Sequence, residues 1–231
     1  MAFSPEGGTL ATASMFGLVA HVWDTTSGRL RTRLDVGNAP LVTSVAFSPD
    51  GHTLAIASDL GIQIVDAATL KPLRRLAGSD DTMFSAEFSA DGRYVMGGSE
   101  RGWARLWSAK TWRPVTRTLG GHAGPVVGTS VSPDGETLAT GGADGIVRLF
   151  DVRTQQPIGA PLPTVPNSSA GPFFSPDGAY LFAITAAGRA FRWDVRPASW
   201  ERQACAVAGR TLTRAEWNDA LPGRAYAPAC R

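Results

Sequence analysis

Between Val126 and Asp151 the chain reads VVGTSVSPDGETLATGGADGIVRLFD, three apolar stretches rich in β-branched residues separated by two polar breaks. The first break, Ser132-Pro133-Asp134-Gly135, is a turn signal, because Pro presets φ and Gly accepts the positive φ of a tight turn. The second falls at Ala143-Asp144-Gly145. Apolar runs this short, bounded by turn residues, predict strand, turn, strand, turn, strand, closing on an aromatic followed by Asp.

The pattern recurs. Phe3-Ser4-Pro5-Glu6-Gly7, Phe47-Ser48-Pro49-Asp50-Gly51, Phe88-Ser89-Ala90-Asp91-Gly92 and Phe174-Ser175-Pro176-Asp177-Gly178 repeat the first break, and with Val131 their first residues stand 44, 41, 43 and 43 positions apart. Each copy closes 18 to 20 residues later on Trp23-Asp24, Val65-Asp66, Trp107-Ser108, Phe150-Asp151 or Trp193-Asp194. The predicted strands are residues 9–14, 18–23 and 30–34; 41–47, 53–57, 62–65 and 72–76; 83–88, 94–97, 103–107 and 114–119; 126–131, 137–141, 146–150 and 157–162; then 173–174, 180–184 and 189–193. A Pro-rich connector is expected at 161–172, and no outer strand follows Val195.

A fixed period of this length, with these turns and this closing pair, resembles the tryptophan-aspartate (WD) repeat family over residues 1–195. The resemblance implies an all-β chain, a β-propeller of four-stranded antiparallel blades with about five repeats visible. Seven are usual in the family. Met1-Ala2-Phe3 aligns with Val45-Ala46-Phe47, so the first blade is expected to be cut at its N-terminus, and the chain to be the C-terminal part of a longer, seven-blade protein. Bare end faces would cost an open arc on the order of 10 kcal/mol of burial, so the arc is expected to close tightly, to pair with another copy through its open blade edges, to cover its faces with the tail, or to belong to a longer chain.

Residues 196–231 differ in texture: residues 199–208 have helical composition, and Thr213-Arg214-Ala215-Glu216 is a capping box opening a second short helix. This tail resembles the segment after the last repeat in large actinobacterial WD-repeat proteins. Cys205 and Cys230 both lie in it and match no Cys-x-x-Cys spacing; a reducing compartment implies free thiols, a bridge between them being the alternative.

Composition narrows the function. Net charge is +2 with basic residues scattered singly, which gives neither a nucleic-acid footprint nor a polybasic membrane patch. The only lysines are Lys71 and Lys110 among many Arg, Ala, Gly and Pro, as a GC-rich bacterial gene would encode. No apolar run reaches membrane-span length and the N-terminus is unlike a signal peptide, so a cytoplasmic protein is expected. Nucleophile elbows, phosphate loops and His-Glu-x-x-His are absent from the sequence, and neither an enzyme nor a cofactor is expected. A propeller enzyme with a central pocket is the alternative, and a truncated gene product without independent function a third.

Within the resemblance, His of a Gly-His pair, Asp of the second turn and Ser or Thr of the second strand form a buried hydrogen-bonded set with the Trp. The fourth repeat carries it as His122, Asp144 and Thr140, with Phe150 in place of Trp, so the set lacks the indole donor. A structural role is expected for it. The turns between second and third strands bring Phe16, Leu60, Arg101 and Trp103 toward one rim, where exposed aromatics and Arg make interface anchors. These are the candidate contacts for a protein partner; the competing reading packs Phe16, Leu60 and Trp103 between blades. Asp80, Asp81 and Glu87 read as solvated acids.

Overall fold

The computed structural model describes residues 1–14, 19–34, 39, 41–76, 78–196, 199–200 and 213–216. They form five antiparallel meander sheets, hereafter blades. Blade 1 holds β1 (Ala2–Phe3), β2 (Thr9–Ala13), β3 (Ala20–Asp24) and β4 (Leu30–Leu34). Blade 2 holds β5 (Val42–Phe47), β6 (Thr53–Ser58), β7 (Gly61–Asp66) and β8 (Pro72–Arg75). Blade 3 holds β9 (Met83–Phe88), β10 (Tyr94–Ser99), β11 (Trp103–Ser108) and β12 (Leu119–Gly120). Blade 4 holds β13 (Val126–Val131), β14 (Thr137–Gly142), β15 (Ile146–Asp151) and β16 (Leu162–Pro163). Blade 5 has three strands, β17 (Ala170–Phe174), β18 (Tyr180–Thr185) and β19 (Ala190–Asp194).

One device makes four of the five first turns. The hydroxyls of Ser48, Ser89, Ser132 and Ser175 donate to Asp50, Asp91, Asp134 and Asp177, and each accepts the N–H of the residue that opens the second strand. Gly51, Gly92, Gly135 and Gly178 take φ of 68° to 79°, which side-chain-bearing residues rarely adopt. The aspartate that closes the third strand caps the next turn: Asp24, Asp66 and Asp151 accept both the N–H and the hydroxyl of Ser27, Thr69 and Thr154.

The core lies between blades. Blade 3 sets Val95 and Trp107, both fully buried, against Ala55, Ile62 and Ile64 of blade 2. Blade 4 sets Leu138 and Phe150 against Met96 and Leu106 of blade 3. Each fully buried aliphatic or aromatic side chain contributes about 1.5 to 3 kcal/mol. The receiving face must be small where the next first strand arrives. A Cβ on Gly98 would collide with the Val126 carbonyl, and one on Gly141 with that of Ala170. Blade 5 puts Ile184 at this position, and there Ile184 is 56 % and Phe173 43 % exposed. At the other end Phe3 is 61 % exposed. The blades therefore form an open arc with an apolar face at each end.

Three expectations need correction. The outer strand expected over 157–162 narrows to Leu162–Pro163 plus a bridge from Phe150 to Pro157. The outer strand expected over 114–119 narrows to Leu119–Gly120 plus a bridge from Trp107 to Pro114, because the Thr116 hydroxyl accepts the Leu106 N–H at 3.0 Å and displaces the backbone ladder. Residues 161–172 are more than a connector, since β16 and the start of β17 lie within them. In the tail, residues 214–216 are helical, and Thr213 and Glu216 exchange the reciprocal bonds of a capping box. The rest of both expected helices beyond Trp200, with Cys205 and Cys230, falls outside the described residues.

Candidate functional site

Three elements meet at His122. The chain between β12 and β13 brings the imidazole, β14 brings Thr140, and the β14–β15 turn brings Asp144. Nδ1 of His122 lies 3.1 and 3.2 Å from the two Asp144 carboxylate oxygens, and Nε2 lies 2.9 Å from the Thr140 hydroxyl. Asp144 also accepts the N–H groups of Ala123 at 3.0 Å and Ile146 at 3.1 Å, tying the approach to β13 to the turn. The imidazole is only 1 % exposed. Burial holds its pKa below the ordinary histidine value, with Arg148 adding to that and Asp144 opposing it. Burial would raise the Asp144 pKa, but the Ala123 N–H, His122 and the Ile146 N–H together hold it below the usual carboxylate range. A neutral ring fits: Nδ1–H donates to Asp144 and Nε2 accepts from Thr140. Both nitrogens are spent inside the fold, which leaves none for a substrate proton.

Sequence reading missed Gly142. A Cβ there would overlap both His122 Nδ1 and Asp144 Oδ1, so the network closes only over a glycine. The Gly141-Gly142 pair before Asp144 was the visible sign, and it reads equally well as a hairpin. Blade 1 supplies the half that blade 4 lacks. Trp23 Nε1 donates to Thr12 Oγ1 at 3.1 Å, and Thr12 occupies in β2 the place of Thr140 in β14.

The rim residues separate by burial. Arg101 sits in the β10–β11 turn with its side chain 80 % exposed, its Nε 3.4 Å from Asp81 Oδ1. Asp81 accepts the Ser99 hydroxyl at 2.6 Å through its other oxygen and is mostly buried, so it anchors Arg101 rather than standing solvated as expected. Trp103, two residues on, is partly buried against the blade 2–blade 3 core, with the Arg105 guanidinium carbon 5.7 Å from its ring centre. Leu60 is partly buried against the blade 1–blade 2 core. The structure thus leaves Arg101 exposed in the β10–β11 turn, sets Trp103 at the start of β11 against a blade junction, and turns Leu60 toward another. Phe16 lies outside the described residues.

Comparison with known families decides the class. The family model described as WD domain, G-beta repeat matches residues 29–66, 70–108 and 113–151, half of the chain. The chain belongs to the WD40-repeat family. Each matched WD40 unit starts on the outer strand of one blade and ends on the third strand of the next, so consecutive repeats interlock adjacent blades. A stretch of 102 residues, 44 % of the chain, is 34 % identical to the U3 small nucleolar RNA-associated protein 21 homolog of Schizosaccharomyces pombe, and spans 11 % of that protein's length. Among the described residues, no three His, Cys, Asp or Glu side chains could hold a metal ion, and no helix is long and apolar enough to cross a membrane.

Proposed function

We propose that this WD40 array is a non-catalytic, protein-binding module, the C-terminal sensing or scaffolding part of a larger bacterial cytoplasmic regulator. The observation that carries the reading is the β10–β11 turn and the strand it opens: an exposed Arg101 guanidinium beside a mostly buried Asp81, two residues from Trp103, whose body is packed. Arg and Trp side chains are the residue types that carry binding energy at interfaces. The fungal relative is named for an association with RNA; the nearly balanced charge of this chain, with its basic residues scattered singly, supports a protein partner and no nucleic acid here. A photoreactive residue in place of Glu100, exposed in the same turn beside Arg101, should yield a defined protein adduct; one in place of Leu73, exposed on outer strand β8, should not. Equal adducts at both positions would remove the rim from the account.

A second reading, self-association through the open ends of the arc, is favoured by the exposed apolar faces at Phe3, Phe173 and Ile184.

A further inference from the structure

At the end of the strands opposite the Arg101 rim, β9, β13 and β17 run out side by side and leave a recess of about 300 Å³. Glu87, Met96, Ser130, Pro133 and Phe174 line it together with Asp91. Glu87 comes one residue before the end of β9. The corresponding positions of the other blades hold Ala2, Ala46, Ser130 and Phe173, so only blade 3 carries a charge there.

The recess has spent its other polar groups. Ser89, Ser132 and Ser175 donate to the aspartates of their own turns, Ser130 accepts the Phe174 N–H at 3.3 Å, and Asp91 is paired with Arg93. Glu87 accepts the backbone N–H of Thr129, and among the described residues no cation pairs with it. Glu87 is half-buried, and a carboxylate partly withdrawn from water without a counter-ion is held at a cost that a cation entering the recess would offset. Burial accordingly pushes its pKa up to about 7. A hard metal ion needs several free oxygen ligands, and one carboxylate does not supply them. A side-chain cation needs only one, and Phe174 on the recess wall offers an aromatic surface for a guanidinium.

We propose that this recess receives one arginine side chain from a partner protein, with Glu87 as its counter-ion and the walls of blades 4 and 5 as its sleeve. The site shares no residue with the Arg101 rim, so either can fail without the other.

Titration of the 231-residue protein with N-acetyl-argininamide, followed at the Thr129 amide resonance by NMR, tests it. A saturable shift is expected, with no shift from the neutral isostere N-acetyl-citrullinamide and with affinity at least about tenfold weaker in Glu87→Gln. No shift in the unmodified protein, an equal shift with the citrulline compound, or undiminished binding by Glu87→Gln would each overturn the proposal. The citrulline comparison needs no variant and decides the matter even where Glu87→Gln folds poorly.

Discussion

His122 and Asp144, 22 positions apart in sequence, face each other with Nδ1 3.1 Å from Oδ1, and together they fasten the approach to one blade's first strand to the turn joining its second and third. Removing the imidazole leaves Asp144 and Thr140 short of partners in a cramped site. His122→Ala should therefore cost about 2 to 4 kcal/mol, the sum of lost hydrogen bonds and a cavity. Chemical denaturation measures it. A double-mutant cycle with Asp144→Ala should return a coupling of about 1 kcal/mol or more, whereas two additive losses would mean that the pair does not act as a unit.

Gly142 should be intolerant of even one methyl group. Gly142→Ala must push either the imidazole or the carboxylate aside, and a loss of about 1 to 3 kcal/mol is expected from the broken bonds. Gly120, around which a Cβ would meet nothing within 4 Å, is the control, and its substitution should be close to neutral. Equal losses at the two positions would show that backbone conformation, not space, is what Gly142 provides.

His122 and the half-buried Glu87 give stability opposite slopes in pH. The His122 pKa is lowered in the folded state, so below about 6.5 the unfolded chain takes up more protons and stability falls with acid. For Glu87, raised from 4.5 to about 7, the unfolded chain loses its proton first, and stability drains away as pH rises across that interval. Asp91, the other titratable group in the recess, is held low mainly by Ser89 and Arg93 against its burial, and stays charged throughout. Glu87→Gln should flatten the upper slope and gain most at pH 8, and His122→Ala should flatten the lower. Denaturation midpoints from pH 5 to 8 for the three proteins check both; an unchanged upper slope in Glu87→Gln would place that proton elsewhere.

The apolar face of blade 5 should matter to association and not to folding. Ile184→Asp places a charge where Ile184 is already 56 % exposed, so a change within about 0.5 kcal/mol is expected in unfolding free energy. In sedimentation velocity the same change should shift any concentration-dependent species toward monomer. Self-association that persists unchanged would exclude this face.

The repeat and the turns were legible because their causes are local. Pro, Asp and Gly at fixed offsets dictate a turn whatever surrounds them, and Ser132 with Asp134 makes the same bond as Ser48 with Asp50. The His122–Asp144–Thr140 set was legible through the family resemblance, since nothing local joins residues 18 to 22 apart. Features set by a neighbouring blade stayed hidden. Glu87 reads as solvated until β13 is laid against it, and Asp81 until Ser99 and Arg101 close on it. Thr116 spoils a strand that its neighbours favour, because a side-chain oxygen takes a bond the ladder needs. Gly142 looks like any hairpin glycine until the imidazole is placed.

The central claim is that the β10–β11 turn with Arg101, and Trp103 on the strand it opens, bind a protein partner. The most direct test titrates the partner captured at position 100 against the unmodified chain and against Arg101→Ala/Trp103→Ala, with thermal unfolding confirming that both are folded. Affinity is expected to fall at least about 30-fold, the loss of one strong interface anchor. Equal affinity in two equally folded proteins would contradict the account.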